Sequence, residues 1–281
     1  MLQLSEIWIY PIKSLGGISL DAATVLHRGL EHDRRWMLVD EEGVFLSQRT
    51  TPKLALFNTA INGDYLQITH KLHEGEMVEI PLFPKFNLDD EKLTAVVWED
   101  SIESYEVDTT VSEWFSAILN RKVRLVYMPE DSARKVDPKF ALTANDITSF
   151  SDGYPYLIIG QLSLDDLNAR MPSAITIKRF RPNFVFTGGT AYQEETFKHF
   201  KIGSVSFFGT NACERCVLTT VDPEKGVIAG KEPLFTLSKY KRSGKNVIFG
   251  QNVIAKELGN IQLGDICLLY TSDAADDLLC V

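Results

Sequence analysis

Two cysteines three positions apart, Cys213 and Cys216, are the residues whose types and spacing most directly suggest chemistry. A structural zinc site needs four ligands, but the sequence has no second Cys-x-x-Cys pair, and its five histidines show no paired spacing. A dithiol redox motif opens a helix, whereas the β-branched segment 217–221 predicts a strand. Two interpretations stay open: a single thiolate beside Arg215 that binds a soft metal, or an inert cysteine pair.

A second candidate is the basic segment Lys178-Arg-Phe-Arg-Pro-Asn183. We expect Phe180 to be buried in a strand, where alternation would place Arg179 and Arg181 together on the opposite face. Two adjacent guanidinium groups suit a phosphate or a carboxylate. The alternative interpretation is a strand edge with ordinary solvated charges.

Further basic residues concentrate near the start of the chain: Lys13, which is followed by the polar Ser14, and then Arg34 and Arg35. The whole chain is acidic, with 29 Lys and Arg against 38 Asp and Glu, so it lacks the charge that binding a nucleic-acid polymer requires. Basic clusters in such a chain indicate a pocket for a small anionic ligand. No Gly-rich phosphate loop and no Gly-x-Ser-x-Gly motif occurs, which disfavours nucleotide cofactors and the commonest hydrolase class.

Short β-strands must position these residues. The length of 281 residues suggests one large or two ordinary domains. A charged, proline-containing linker at 129–138 predicts a boundary that separates domains 1–128 and 129–270. The predicted fold class is α+β, rich in β-structure, with a barrel. Turn signals and β-branched or aromatic runs predict strands at 2–10, 36–39, 45–48, 54–61, 65–70, 122–128, 156–159, 184–186, 205–208 and 217–221.

Two helices are also expected. The first has a capping box between Thr110 and Glu113 and ends at Asn120, and the second lies at 163–171 with a cap at Ser163. The acidic segment 271–281 fits neither element; it is a fraying helix or a foreign extension, and Cys280 receives no role. Without a signal sequence or a long apolar run, the chain is expected to be cytoplasmic and to have no membrane span.

Six short motifs occur along the chain in this order: Tyr10-Pro-Ile-Lys-Ser14, Asp33-Arg-Arg-Trp36, Gln48-Arg-Thr-Thr-Pro52, Arg179-Phe-Arg-Pro-Asn183, Ala212-Cys-Glu-Arg-Cys216 with Thr219-Thr-Val-Asp-Pro223, and Phe249-Gly-Gln251. Together they resemble the MOSC-domain family, and in particular the group of mitochondrial amidoxime-reducing components and their bacterial relatives. The resemblance runs from about residue 2 to residue 270. It implies a MOSC β-barrel fold preceded by a MOSC N-terminal β-barrel-like domain.

The resemblance implies a bound molybdenum cofactor, a pyranopterin with a dithiolene and a terminal phosphate. Cys216 matches the cysteine that binds the metal, Cys213 becomes a neighbour, and Asp152 matches a position beside the metal. Asn252 stands where a relative has tyrosine, and Gly153-Tyr154 replaces small hydroxyl residues. The implied cofactor-binding residues are Lys13, Ser14, Arg34, Arg181, Asn183, Glu214, Arg215 and Asn252.

The implied activity is a molybdenum-dependent oxidoreductase that reduces amidoximes, hydroxylamines and N-hydroxylated bases, with Asp152 relaying protons. Because the cysteines supply no iron–sulfur ligand set, electrons are expected from a separate ferredoxin-, flavoprotein- or cytochrome-type protein. The docking patch predicted for that protein contains Lys239, Lys241, Arg242 and Lys245. The alternative function is a carrier of the cofactor, or of sulfur on Cys216, without its own catalysis.

Overall fold

The computed structural model describes residues 1–87 and 89–270, and β-strands form its framework. In chain order the strands are β1 (Leu2–Ile9), β2 (Ile18–Leu20), β3 (Ala22–Leu26), β4 (Gly29–Leu30), β5 (Trp36–Val39), β6 (Phe57–Asn62), β7 (Tyr65–His70), β8 (His73–Pro81), β9 (Lys92–Val97), β10 (Asp100–Glu106), β11 (Arg124–Tyr127), β12 (Arg134–Lys135), β13 (Ile147–Thr148), β14 (Tyr156–Gly160), β15 (Phe184–Thr187), β16 (His199–Ile202), β17 (Val205–Arg215), β18 (Val221–Asp222), β19 (Val227–Ile228), β20 (Arg242–Ser243), β21 (Asn246–Ala255), β22 (Gly259–Gln262) and β23 (Ile266–Leu269). The helices are α1 (Thr109–Leu119), α2 (Gln161–Arg170) and α3 (Leu234–Leu237). The interpretations of 271–281 and Cys280 concern residues outside the described ranges.

Seven strands close into a barrel in the order β14-β15-β1-β23-β16-β17-β21, because β21 also pairs with β14. Neighbouring strands are antiparallel except β14 and β15, which α2 connects as a crossover. Inside the barrel, the fully buried rings of Tyr156, Phe184 and Phe207 pack on one another. The prediction of a β-rich α+β fold with a barrel is confirmed.

A second group of strands is formed by residues 36–127. Strands β5, β11, β10 and β9 make a four-stranded sheet, and β6, β7 and β8 make a three-stranded one. The fully buried side chains of Trp36, Phe57 and Phe115 belong to one apolar cluster that joins these strands with α1. This cluster anchors the loops that leave β5 and enter β6.

The start of the chain pairs with strands that come much later. Strand β1 lies between β15 and β23, and β3 pairs with β22. The segment up to Leu30 therefore contributes to the sheets of the second half, although a domain division after residue 128 stays a prediction. This pairing brings the loop after β1, with Lys13 and Ser14, to one end of the barrel.

The helix caps differ from the expected ones. The Asp108 carboxylate caps α1 by accepting hydrogen bonds from the amides of Thr110 and Val111, at 2.7 and 3.1 Å. The predicted Thr110–Glu113 capping box is wrong because Asp108 already satisfies these amides from a position before the first turn. The predicted end at Asn120 is confirmed, and this residue adopts a left-handed conformation with φ of 49°.

Ser163 does not cap α2, which begins at Gln161 directly after β14. The Ser163 hydroxyl instead donates to the buried carboxylate of Glu194 at 2.8 Å. The strand and the helix follow each other without a polar linker, and the N-cap residue is Gly160, which has no side chain to cap the helix.

Three predicted strands are replaced, wholly or in part, by shorter elements; of 54–61, the part from Phe57 onward does form β6. The segment 45–48 contributes a single bridge from Phe45 to Val39. Pro52–Leu56 forms a 3₁₀ helix before β6, and Pro52 favours this by fixing its own φ angle. Val217–Thr220 is also a 3₁₀ turn, because the hydroxyl of Thr219 donates back to the carbonyl oxygen of Cys216 at 3.0 Å.

Candidate functional site

A cavity of about 610 Å³ lies at the end of the barrel, between the loops of the first part of the chain and the ends of the barrel strands. It brings together predicted site residues from four separate motifs, with Asp152 and Asn252 in addition. Every one of the ten predicted site residues lines this cavity: Lys13, Ser14, Arg34, Asp152, Arg181, Asn183, Glu214, Arg215, Cys216 and Asn252. Their proximity is a structural finding, whereas contact with a cofactor stays a prediction.

The backbone at this site is bent in an unusual way. Ser14, Arg34 and Arg181 all have positive φ angles, of 70°, 51° and 55°. A non-glycine residue in this region costs about 1–3 kcal/mol unless surrounding contacts hold it. Such contacts exist, because the Gln48 side chain donates to the Ser14 carbonyl at 2.6 Å and the Arg34 guanidinium to the Arg181 carbonyl at 3.0 Å. The fold thus holds three cavity residues in strained conformations.

The fully buried carboxylate of Asp33 organises the floor of the cavity. It accepts hydrogen bonds from the Tyr10 amide at 2.7 Å, from the Asn183 amide group at 3.0 Å, and from the Arg34 guanidinium, with which it also forms an ion pair. Asn183 further donates to the Trp8 carbonyl at 3.1 Å. The Asn183 side chain is therefore already bound by the scaffold, and its Oδ1 also accepts a hydrogen bond from Arg34 at 3.2 Å.

Two guanidinium groups sit on the ring of Tyr10. The Arg34 and Arg181 carbons Cζ lie 4.4 and 4.1 Å from its centroid. Burial lowers the pKa of Arg181 to about 10, so this side chain is still a cation at neutral pH. Its Nη2 is buried and has no hydrogen-bond partner in the described protein. The site therefore keeps an unsatisfied donor beside a second arginine.

The predicted strand around Phe180 is wrong, although Phe180 is buried and Arg179 and Arg181 do lie near each other, as expected. Ile177–Arg179 is a 3₁₀ turn, and Phe180 ends it as a buried residue. Arg179 and Arg181 both line the cavity, but the turn and the left-handed backbone of Arg181 bring them there instead of a common strand face. The Arg179 guanidinium lies 3.4 Å from the Thr219 carbonyl.

A line of alternating charges connects Lys13 to Cys216. The Asp152 carboxylate receives Lys13 Nζ on one oxygen and Arg49 Nη2 on the other, both at 2.7 Å. Arg49 Nε then donates to the Cys216 sulfur at 3.0 Å. Lys13 also donates to the Phe150 carbonyl at 2.7 Å. These contacts place a carboxylate between two cations beside the thiol.

The charges decide which of these groups carries a proton. Burial alone would raise the pKa of Asp152, but attraction to Lys13 and Arg49 outweighs it and holds that pKa well below its usual range. Asp152 is therefore an anion at neutral pH, and its role as a proton relay stays a prediction. Burial lowers the pKa of Lys13 to about 8, and the Asp152 charge opposes part of this shift. Of these two groups, the Lys13 ammonium is the one whose pKa lies closer to neutral pH.

Cys216 directly follows β17 and occupies the N-cap position of the 3₁₀ turn after it. The preceding Arg215 is fixed by donation to the carbonyls of Phe249 and Phe180 at 2.8 and 3.1 Å, while its buried Nη2 has no partner among the described residues. Cys213 packs partly against an apolar cluster, and burial raises the pKa of its thiol. The two cysteines are both free thiols but have different surroundings.

Comparison with known proteins identifies two domains in the chain. The MOSC N-terminal beta barrel domain matches residues 1–122, and the MOSC domain matches residues 145–267. The chain belongs to the MOSC family. Related proteins include the mitochondrial amidoxime reducing component 2 of Bos taurus at 33% identity, component 2 of Rattus norvegicus at 32%, and component 1 of Homo sapiens at 31%. Each match covers 93% of this chain and 81% of the relative.

Among solved structures, the YUAD protein from Bacillus subtilis aligns with 96% of this chain and 98% of its own, with a TM-score of 0.40 and 9% identity. Within residues 1–87 and 89–270, no helix has the length and apolar character needed to cross a membrane.

Several cavity residues of this MOSC protein were not selected as site residues from the sequence. Arg49 is the most important, and the motif Gln48-Arg-Thr-Thr-Pro52 was the signal that contained it. Trp98, Phe140 and Tyr154 also line the cavity, and no motif marked the first two. Trp98 stacks on Arg49 with 4.5 Å between the guanidinium carbon and the ring centroid, and Tyr154 meets Phe140 edge-on at 6.1 Å. The cavity therefore combines a charged floor with aromatic side chains.

One member of the predicted docking patch is engaged elsewhere. Lys241 forms an ion pair with Glu195 at 2.5 Å and lies over the Tyr192 ring. Only 12% of its side chain is exposed, so it presents little charge to a partner. Lys239, Arg242 and Lys245 are exposed and remain the cations of this patch.

Proposed function

We propose that this MOSC protein is a molybdenum-cofactor-dependent oxidoreductase that reduces N-hydroxylated compounds. The observation that carries the proposal is the meeting of the Cys216 sulfur with six cationic side chains in one cavity: Lys13, Arg34, Arg49, Arg179, Arg181 and Arg215. The substrate class follows from the related proteins, which are named amidoxime-reducing components.

The chemistry of the cavity fits the molybdenum cofactor. The six cations face only two lining carboxylates, Asp152 and Glu214, so the cavity favours an anionic ligand such as a phosphorylated pterin. Arg181 and Arg215 each keep a buried Nη2 without a partner in the described protein, and leaving such donors unmet costs about 1–3 kcal/mol each. A phosphate or another anionic group would satisfy them. Cys216 supplies the soft ligand that a metal of this type accepts.

Within the described residues, no group of three or more His, Cys, Asp or Glu side chains is arranged to hold a metal ion. A metal at Cys216 would therefore take its other ligands from the cofactor. When bound, the cofactor supplies the two-electron redox chemistry that cleaves the N–O bond. Reduction of an amidoxime to an amidine and water consumes two electrons and two protons.

The protein residues divide the remaining tasks. Lys13, Ser14, Arg34 and Arg181 bind the anionic part of the cofactor, and Asp33 holds Arg34 in place. Lys13 Nζ carries a proton whose pKa, lowered by burial to about 8, allows its release near neutral pH. Asp152 keeps its negative charge and orients Lys13 and Arg49. Trp98, Phe140 and Tyr154 offer apolar surface to the substrate.

Three finer parts of the function belong to the same proposal. Electrons come from a separate ferredoxin-, flavoprotein- or cytochrome-type protein that docks at the patch of Lys239, Arg242 and Lys245. The small-molecule substrate enters the cavity directly. The protein acts in the cytoplasm.

The test is metal and pterin analysis of the protein purified from a host that makes the cofactor, followed by an assay with benzamidoxime and reduced viologen. Stoichiometric molybdenum and benzamidine formation support the proposal. Bound cofactor without any turnover would instead support a carrier. Protein from that host that contains neither molybdenum nor pterin would contradict both functions.

A further inference from the structure

We propose that Arg49 is a positioning residue that holds the Cys216 sulfur toward the cavity and compensates its negative charge. This inference rests on the proposed function, since it assigns a partner to the residue that would bind the metal. Arg49 was not among the predicted site residues, and its position becomes evident only from side chains that are distant in sequence.

The guanidinium of Arg49 is held through two of its nitrogens. Nε donates to Cys216 Sγ at 3.0 Å, and Nη2 donates to the Asp152 carboxylate at 2.7 Å. The second oxygen of Asp152 is held by Lys13. Rotation of the guanidinium toward Cys216 or away from it would break the contact with Asp152, so the two bonds determine the direction of the Nε–H group.

The face of the guanidinium is also fixed. The Trp98 ring lies over it at 4.5 Å, and Phe45 packs on the same ring at 5.0 Å between centroids. Only 18% of the Arg49 side chain is exposed. Stacking limits motion out of the plane while the two hydrogen bonds limit motion within it.

The consequence for a metal on Cys216 follows from its charge. A hydrogen bond from a cation to a ligating sulfur withdraws electron density from the metal, and such contacts tune metal affinity and reduction potential. Lysine retains the charge but lacks the planar group that supplies two donors in fixed directions and a stacking face at once. Arg49→Lys should therefore preserve part of the effect, and Arg49→Met should remove it.

The first arm of the experiment uses protein made without the cofactor, so it does not depend on the proposed function. The rate of alkylation of Cys216 by iodoacetamide is measured at neutral pH by peptide mass spectrometry. Trypsin cleaves after Arg215 and thereby separates Cys213 from Cys216, which makes Cys213 an internal control for folding. A neighbouring cation and hydrogen bond activate a cysteine sulfur.

We expect Arg49→Met to slow alkylation of Cys216 about tenfold. The rate in Arg49→Lys should lie between those of Arg49→Met and the wild type. The Cys213 rate should stay the same. Arg170→Met is a matched control, since Arg170 also binds a carboxylate and stacks on an aromatic ring at 4.4 Å but lies outside the cavity lining. Equal Cys216 rates in wild type and Arg49→Met would overturn the proposal.

The second arm uses protein loaded with cofactor in the cell. Arg49→Met should lose several-fold in molybdenum per protein, and the metal that remains should have a lower reduction potential and an altered electron paramagnetic resonance spectrum. Arg49→Lys should recover part of each quantity. An unchanged spectrum and potential in Arg49→Met would overturn the charge-compensating role. A wild-type protein without molybdenum would refute the proposed function, while the alkylation arm would still decide the role of Arg49.

Discussion

The guanidinium of Arg34 donates to the main-chain carbonyl of Arg181 at 3.0 Å, across 147 positions of sequence. Both residues have left-handed backbone conformations, and both lie on the ring of Tyr10. This contact joins the segment between β4 and β5 to the segment before β15, so the anion-binding side of the cavity depends on two distant parts of the chain. Disturbing either part should affect ligand binding before it affects the barrel.

Removal of single cations should therefore weaken cofactor binding. Arg181→Ala and Lys13→Ala each delete a charged hydrogen-bond donor, which contributes roughly 1.5–3 kcal/mol, or about ten- to a hundredfold in affinity. Pterin content per protein measures this effect, and the melting temperature reports on folding. Full pterin occupancy in both variants would exclude these side chains from the binding site.

The two cysteines should respond differently to substitution. Cys216→Ser replaces a soft sulfur with a hard hydroxyl and should remove molybdenum or activity, because oxygen is a poor substitute as a ligand for this metal. Cys213→Ser is the matched control and should keep most of both, since Cys213 packs partly against an apolar cluster. Metal analysis of the two variants decides the matter, and equal loss would indicate a dithiol site.

Asp33→Asn should destabilise the folded protein. The carboxylate is fully buried and serves Tyr10, Arg34 and Asn183 at once, so its neutralisation leaves a buried guanidinium without its counter-ion. Breaking a buried pair in this way costs about 3–5 kcal/mol, which chemical denaturation measures. Glu41→Gln, at an exposed pair with Lys122, should change stability by less than about 1 kcal/mol. An equally small change in Asp33→Asn would show that the Asp33 carboxylate is not needed for stability.

A buried carboxylate outside the cavity should make stability depend on pH. Burial raises the pKa of Glu194 to about 7 from its ordinary 4.5, and one of its oxygens, Oε1, has no partner in the described protein. Between these values the folded state binds more protons than the unfolded state, so stability present below pH 4.5 is lost as the pH rises toward 7.

Glu194→Gln should abolish this dependence and raise stability at pH values above the folded pKa, because the amide has no charge to bury. Denaturation curves across the range from 4.5 to 7 provide the measurement. Glu113→Gln, at an exposed position of α1, serves as the control and should leave the slope unchanged. If Glu194→Gln has the slope of the wild type, another group causes the pH dependence.

Electron supply provides a further test. The proposed reductase should turn over with reduced viologen but not with NADH alone, since the sequence has no nicotinamide fingerprint. With a donor protein, turnover should fall as salt increases, because screening weakens charged docking. Arg242→Glu with Lys245→Glu should flatten this salt dependence, and identical salt curves would contradict docking at the patch. Turnover of wild type with NADH alone would refute the need for a donor.

The short motifs determined much of the site from the sequence alone. Lys13, Arg181 and Cys216 each lie in a run of residues that marks a position by its type and neighbours, and all three line the cavity as expected. The β-rich composition and the regular turn signals were likewise sufficient for the fold class. Motifs and turn signals consist of residues that are neighbours in the sequence, so they can be recognised without knowledge of the fold.

The tertiary structure alone decided how the charges act on one another. Arg49 and Cys216 are separated by 167 positions and Lys13 and Asp152 by 139, and no spacing in the sequence indicates that they meet. Asp152 illustrates this, because its position between two cations lowers the pKa of its carboxyl group, and nothing near it in the sequence indicates those neighbours. The pKa of a group and the direction of a hydrogen bond depend on distances of a few ångströms, and the folding of remote segments sets those distances.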